Sequence, residues 1–429
     1  MKLRHAVFAG SGRPVWYRLE FKRLFKGLAS RGAVAGSVVR PGLHACLLLG
    51  MMALTAPANA DLRFVCNPAQ LPMLETQMLE YLGKLDIDLA LVTQSEQQDT
   101  GVVVYALATP ADDTDTLDLV RRVEYNVPLE IVQLPERKGK LRKVATVSKK
   151  EILLSVLQHG RMTSFDDGAC SLGALEDHIG LRQNIVAWTE VLQWTWPNGG
   201  RARWNVRYWA NGTPRSGVST AAALMDAFQS QHKYAIGCYT AAKLLMAQGV
   251  VDYFQRVRPD ASRELGVERR LALDGDPLVD VEPPRMWSFE KEFDPATLSR
   301  PGKLLRIAEH VAPRNFIPGD WAYFVNTDPR FSQKTGYEGS NAIYLGRGKF
   351  GDFYNDNHHA YTFDQKLDEV YQWRNGVFSR SRDFRKIQEM SAQDYERLAR
   401  TPEEGGLVLD IRAIPQLFGY ETQPPPAAR

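Results

Sequence analysis

Residues 232–249 read HKYAIGCYTAAKLLMAQG. The stretch holds one thiol, Cys238, directly after Gly237 and at the mouth of an alanine-rich helical pattern that Gly249 is expected to close. Unpaired amides and the helix dipole at such a start favour a thiolate over a thiol. The same amides can hold an oxyanion when a carbonyl is attacked. Small neighbours at Gly237, Ala241 and Ala242 allow a substrate to approach closely. This is a setting for a nucleophile, although a packing cysteine is the plainer reading of the same residues. A thiol nucleophile needs a base, most often histidine. His358 and His359 lead from the polar loop GDFYNDN into the apolar AYTF, a candidate strand. His232 is a rival by proximity, but it precedes Lys233-Tyr234 in a predicted turn. His159, His178 and His310 read as structural or exposed. No Cys-x-x-Cys, His-Glu-x-x-His or calcium-loop spacing occurs, so no metal and no cofactor is expected.

The elements that must position these residues lie in a chain of 429 residues with ordinary apolar and charged content. That composition excludes a disordered chain and a many-spanning membrane protein. A net charge of +3 is too small to imply a nucleic-acid partner. Residues 1–60 read as a targeting segment: a basic stretch, then the short apolar run PGLHACLLLGMMALTAPANA ending in Ala58-Asn59-Ala60. Cleavage before Asp61 and export to the periplasm or beyond are expected, with no membrane contact past that segment. Export leaves Cys66, Cys170 and Cys238 in an oxidising compartment. Cys66 (FVCNP) and Cys170 (DDGACSLG) sit in loop-like surroundings and are the disulfide candidates, which frees Cys238. Three buried free thiols are the alternative.

Residues 61–180 form an expected N-terminal α/β domain. It has a helix in MLETQMLEYLGKL, strands in IDLALVTQ, GVVVYALATP and LEIVQL, and a solvated basic run, PERKGKLRKVATVSKKE. Residues 181–380 form an expected catalytic domain. It opens with crowded tryptophans, and RARWNVRYWANG alternates as a strand with Trp204, Val206 and Tyr208 on one face. Most of those rings are expected in the core, with Trp204 a candidate substrate contact. ALMDAFQ reads as a helix and residues 316–363 as strand-rich. Residues 381–429 read as a helical extension with a Pro-rich tail.

Three stretches resemble the bacterial protein-glutamine gamma-glutamyltransferases of the spore-coat type. YAIGCYTAAKLL is similar to the family's aromatic-x-x-Glu-Cys-Ala-Thr-Ala helix start and matches Cys238 to the nucleophile. PGDWAYFVNTDP follows the family's Gly-Asp-Cys-x-Tyr-Phe-x-Asn-Pro strand through Gly319, Asp320, Tyr323, Phe324 and Asn326. YEGSNAIYLGRGKFGD follows its Gly-Glu-Asn-x-Ile-x-Leu-Gly strand through Gly339, Asn341, Ile343, Leu345 and Gly346. The resemblance implies an α+β fold: a papain-like core whose nucleophile helix packs on a small antiparallel sheet, here with the N-terminal α/β block added. It implies acyl transfer from a glutamine carboxamide to a lysine amine on protein or peptide partners, with a thioester between. The family histidine follows the third stretch, which fits His358 or His359, the latter preferred because it directly enters AYTF.

Two positions depart from the family pattern, Gly237 and Ser340 standing where it keeps glutamates. Glu338 shares a strand face with Ser340 and is a candidate replacement, as are Asp352 and Asp356. Asn341 is expected to orient the histidine, and Tyr239 and Ser340 join Trp204 as candidate substrate contacts. Three readings follow: an exported acyltransferase, a papain-like amidase or peptidase that passes the thioester to water, and an inactive binding module of the same fold.

Overall fold

The computed structural model describes residues 62–97, 100–197, 200–210, 212–273, 306–307, 311–355, 360–379, 385 and 388–413. The expected targeting segment, the Pro-rich tail, His310, Asp356, His358 and His359 lie outside the described residues.

The first sheet has the order β2-β3-β1-β6, from β1 (Leu62–Val65), β2 (Val92–Gln97), β3 (Val102–Leu107) and β6 (Thr163–Asp166). β6 runs parallel to β1 and the other pairs are antiparallel. Helix α1 (Leu71–Lys84) buries one stripe, Leu71, Leu74, Met78, Tyr81 and Leu82, at helical spacing. The hairpin of β4 (Leu129–Pro135) and β5 (Leu141–Val147) turns through Lys138, which adopts a left-handed backbone at φ 61°. Its basic tip is exposed, as the charge pattern predicts. A disulfide joins Cys66 to Cys170 with Cα atoms 5.5 Å apart, and Cys238 is free.

α2 (Lys149–Leu157), capped by Ser148, is almost wholly buried. Its Glu151 belonged by sequence to a solvated run, yet it is 1 % exposed. One carboxylate oxygen accepts the Arg347 amide and the other has no hydrogen-bond partner. Burial pushes this carboxyl up to about 7, against the lowering effect of Arg347. A raised carboxyl favours the folded state below its unfolded value, and that contribution is lost as pH rises through the folded value. Glu151→Gln is therefore expected to match the parent in thermal unfolding near pH 4. It should exceed the parent at pH 8 by as much as about 3 kcal/mol.

α3 (Leu172–Thr189) is buried on nearly every side and occupies the centre of the molecule, and residues 180 and 181 fall within it. It crosses α5 (Cys238–Asp252), which is equally enclosed. Gly249 does not end α5 as its position suggested; the helix runs past it to Asp252 and continues as a wider turn to Val257. The glycine is there because α3 is. A Cβ at this position would meet Ile185 Cγ1 at 2.3 Å, and the Gly249 carbonyl accepts from Asn184 Nδ2 at 2.8 Å.

The segment 204–208 is not the expected strand. Asn205 folds it into turns, its carbonyl accepting from the Tyr208 and Trp209 amides and its side-chain oxygen from the Arg207 amide. Val206 is 67 % exposed; past the isolated Arg203–Ala235 bridge, pairing resumes only at β7 (Trp209–Ala210) with β8 (Thr213–Pro214). α4 (Thr220–Gln229) follows where ALMDAFQ predicts it, and α6 (Ala261–Leu273) comes after α5 in the chain.

The second sheet is antiparallel throughout, in the order β13-β12-β11-β10-β14-β9. Its strands are β9 (Arg306–Ile307), β10 (Trp321–Val325), β11 (Gly339–Gly346), β12 (Lys349–Gly351), β13 (Ala360–Thr362) and β14 (Val408–Ala413). The C-terminal region thus supplies a strand beside β10, in addition to the short helix α8 (Ala392–Leu398). Its sequence had suggested only peripheral helix.

Alternation divides β10 and β11 between two cores. Trp321, Ile343 and Leu345 join the core of α3 and α5. Ala322, Phe324, Ala342 and Tyr344 join the core that holds Leu367, Val370 and Trp373 of α7 (Phe363–Arg374). The molecule is α+β, with the cysteine helix on one face of an antiparallel sheet. Among the described residues no helix is long and apolar enough to cross a membrane.

Candidate active site

Cys238 is the first residue of α5, and Gly237 caps it in an extended conformation (φ −69°, ψ 160°) without a side-chain cap. The approach is held from three sides. The Ala235 amide donates to the Arg203 carbonyl at 2.8 Å, the Ile236 amide to the Thr195 carbonyl at 3.2 Å, and Tyr354 Oη to the Ile236 carbonyl at 2.9 Å. The strand-like segment before Cys238 is therefore fixed on both edges, and the helix begins from an anchored residue.

Asn341 of β11 points at this helix start, and its Nδ2 donates to Cys238 Sγ at 3.1 Å. The amide cannot turn over without loss, because its Oδ1 accepts the indole N–H of Trp321 at 2.8 Å. Trp321 is completely buried, and its ring meets the Tyr239 ring edge-on at 5.1 Å. Lys243, one turn further along α5, sets its ammonium 5.7 Å from the centre of the Tyr239 ring. Trp321, Asn341 and Cys238 thus form a directed series in which each N–H points towards the sulfur. Trp321 was not singled out from sequence. The signal was present as a pair: the family motif has cysteine where Trp321 stands, and this indole holds the Asn341 amide across two strands.

Ser340 and Glu338 are not brought to the sulfur. Ser340 lies on the opposite sheet face from Asn341 and donates to Glu369 Oε2 at 3.1 Å, deep beside Lys366. Glu338 is exposed and its carboxylate accepts the Gly336 amide at 2.8 Å. The reason is strand periodicity: a residue one position from Asn341 faces away. Asp352 is buried and accepts the amide of Phe353. Trp204 is half-buried against the main core, and Tyr239 is half-buried beside the helix start.

The remaining histidines separate cleanly. His178 is buried and accepts from Arg182 Nε at 2.9 Å; burial, then the nearby Arg182 and Arg161 charges, hold it well below its ordinary value. It is a neutral structural imidazole. His159 contacts the Thr109 carbonyl at 3.1 Å, and His232 is exposed in a turn. His358 and His359 follow Tyr354 and Asn355. The Asn355 amide donates to Trp194 at 3.1 Å, and the chain after the histidines resumes at Ala360, paired with Gly351 of β12.

Asp320 of the Gly-Asp motif supports the site from behind. It is fully buried and takes Arg161, Arg182 Nη1 at 2.9 Å and the Ile317 amide at 2.8 Å. Burial pushes this carboxyl up, but the two guanidinium groups outweigh it and hold Asp320 below its ordinary value. The pair of arginines comes from β6's approach and from α3, so one carboxylate fastens three elements behind Trp321.

Comparison with known proteins agrees with the three sequence stretches. The family model for protein-glutamine gamma-glutamyltransferase matches residues 133–361. Among solved structures, a transglutaminase from Geobacillus stearothermophilus without its C-terminal extension is similar at 19% identity and a TM-score of 0.36. That likeness covers 59% of this chain and 97% of that one. No curated protein matches the chain. The family match spans more than half of the sequence: the chain belongs to the protein-glutamine gamma-glutamyltransferases and is an acyltransferase enzyme.

Proposed function

We propose that Cys238 is the acyl-accepting nucleophile and that the enzyme crosslinks glutamine to lysine side chains on exported proteins. The observation that carries this reading is the Trp321–Asn341–Cys238 series at the start of α5. A donor aimed at sulfur favours the anionic form, as do the free amides of the helix start. The thiolate attacks the glutamine carboxamide carbon, and the oxygen gains the electron pair. The carbon–nitrogen bond then breaks, ammonia leaves with a proton from the base, and a thioester remains. A neutral lysine amine attacks the thioester carbon, gives up a proton, and expels the thiolate as the isopeptide forms. We assign the base to His359, with His358 as its neighbour. The anchoring of Tyr354 to Ile236, two residues before Cys238, supports bringing that segment to the sulfur. Asn341 serves here as a hydrogen-bond donor to the sulfur. Export is supported by the Cys66–Cys170 disulfide, which persists in oxidising compartments.

The test is incorporation of a labelled primary amine into a glutamine-bearing protein, with ammonia release followed in parallel. Equal release and incorporation are expected. Ammonia release with no incorporation would replace this reading with an amidase. Asn341→Ala is expected to lower kcat about 10-fold to 100-fold, the value of one charge-assisted hydrogen bond. The acidic limb of its pH–rate profile should move to higher pH.

A further inference from the structure

A second site lies beside the nucleophile's approach. A cleft of about 510 Å3 opens between the tip of the β4–β5 hairpin, the 205–208 turns and α4. Four cations line it: Arg137, Lys138, Arg207 and Lys233. The one carboxylate in its lining, Asp226, is already engaged by three neutral donors. It accepts Asn205 Nδ2, Tyr234 Oη and Ser230 Oγ, each at 2.7 Å. Arg137 is held over the cleft by its bond to Ser230 Oγ, and Gln229 Nε2 ties α4 to the hairpin at the Pro135 carbonyl, 3.3 Å away. Lys138, Arg207 and Lys233 form no ion pair with the described residues. Elsewhere on this chain arginines are commonly paired, as Arg122, Arg256, Arg258 and Arg263 are. A concave group of four cations, three of them without an ion pair among the described residues, against one carboxylate attracts anions.

The cleft is linked to the candidate nucleophile through its floor. Tyr234, which donates to Asp226, begins the anchored segment Tyr234-Ala235-Ile236-Gly237-Cys238. Four residues of extended chain span at most about 14 Å. An acidic side chain a few residues away from a reactive glutamine could reach the cleft while the glutamine meets Cys238.

We propose that this cleft is a docking site for an acidic segment of the glutamine-bearing protein substrate. The proposal rests on the acyl-transfer reading for its use, but not for its binding test. A fluorescent hexaglutamate peptide, added to the Cys238→Ala protein, is expected to bind and to weaken with rising salt. Arg207→Glu/Lys233→Glu should reduce that binding about tenfold or more. Lys84→Glu/Arg400→Glu, with the same charge change at distant exposed positions, should leave it unaltered. In turnover, a glutamine peptide carrying a glutamate tag is expected to show a lower KM than the untagged peptide. That ratio should fall to near one in Arg207→Glu/Lys233→Glu. Binding that ignores the cleft reversal, or that inorganic phosphate at equal ionic strength removes as well as free hexaglutamate does, would overturn the proposal. Hexaglutamate binding with no amine incorporation would instead sink the transfer reading, and amine incorporation without hexaglutamate binding would sink only the cleft.

Discussion

Cys238→Ala is expected to lose amine incorporation and glutamine-dependent ammonia release together, each by roughly 10⁴-fold or more. The change removes the atom proposed to carry the acyl group, so both half-reactions are expected to fail through one cause. Stability should hardly change. The side chain is small and only partly buried at a helix start, and alanine keeps the helical preference of the first turn. Unfolding by circular dichroism should therefore coincide with the parent. An unfolded variant would make the activity loss uninformative, and Cys238→Ser then serves as the second probe, since it keeps the volume and the acceptor for Asn341. Retained amine incorporation in either folded variant would remove Cys238 from the mechanism.

Asp320→Ala is expected to destabilise the protein by about 3–5 kcal/mol. The mutation leaves Arg161 and Arg182 charged and buried with their shared partner gone. It also frees the Ile317 amide. For a domain of this size the loss corresponds to a fall of roughly 10 °C in Tm. Asp320→Asn should recover part of the hydrogen bonding but not the charge. The depressed carboxyl contributes stability above its unfolded value, and that contribution is lost as pH falls through the folded value. The gap between parent and Asp320→Asn should accordingly shrink in acid below about pH 4. A gap that stays constant with pH would show that packing, and not charge, is what Asp320 provides.

The local features of the site were legible in the sequence, and the features made by pairing were not. A glycine, a cysteine and a run of helix formers in succession announce a helix start without reference to anything else, and α5 begins at Cys238. The disulfide was legible for a similar reason, since loop context and parity require no geometry. Asn341 could be named as a site residue, but its action depends on Trp321 across the β10–β11 register, which periodicity alone does not supply. Gly249 misled because a glycine late in a helix is read first as a stop; its purpose is visible only with Ile185 against it. Trp204, Val206 and Tyr208 alternate as a strand does, yet Asn205 satisfies the backbone locally and turns it. The missed β14 is a short, mixed-polarity run after a glycine pair, with nothing in it to say that β10 is waiting for it.

That late strand has a consequence in time. β14 hydrogen-bonds to the free side of β10, and β10 carries the indole that locks the Asn341 amide. During synthesis, β10 ends at Val325 and its neighbour β14 begins only at Val408, and β10 has one open edge throughout that interval. An open edge invites pairing with another chain. It also means that the cysteine helix rests on an unfinished support until the chain reaches Ala413.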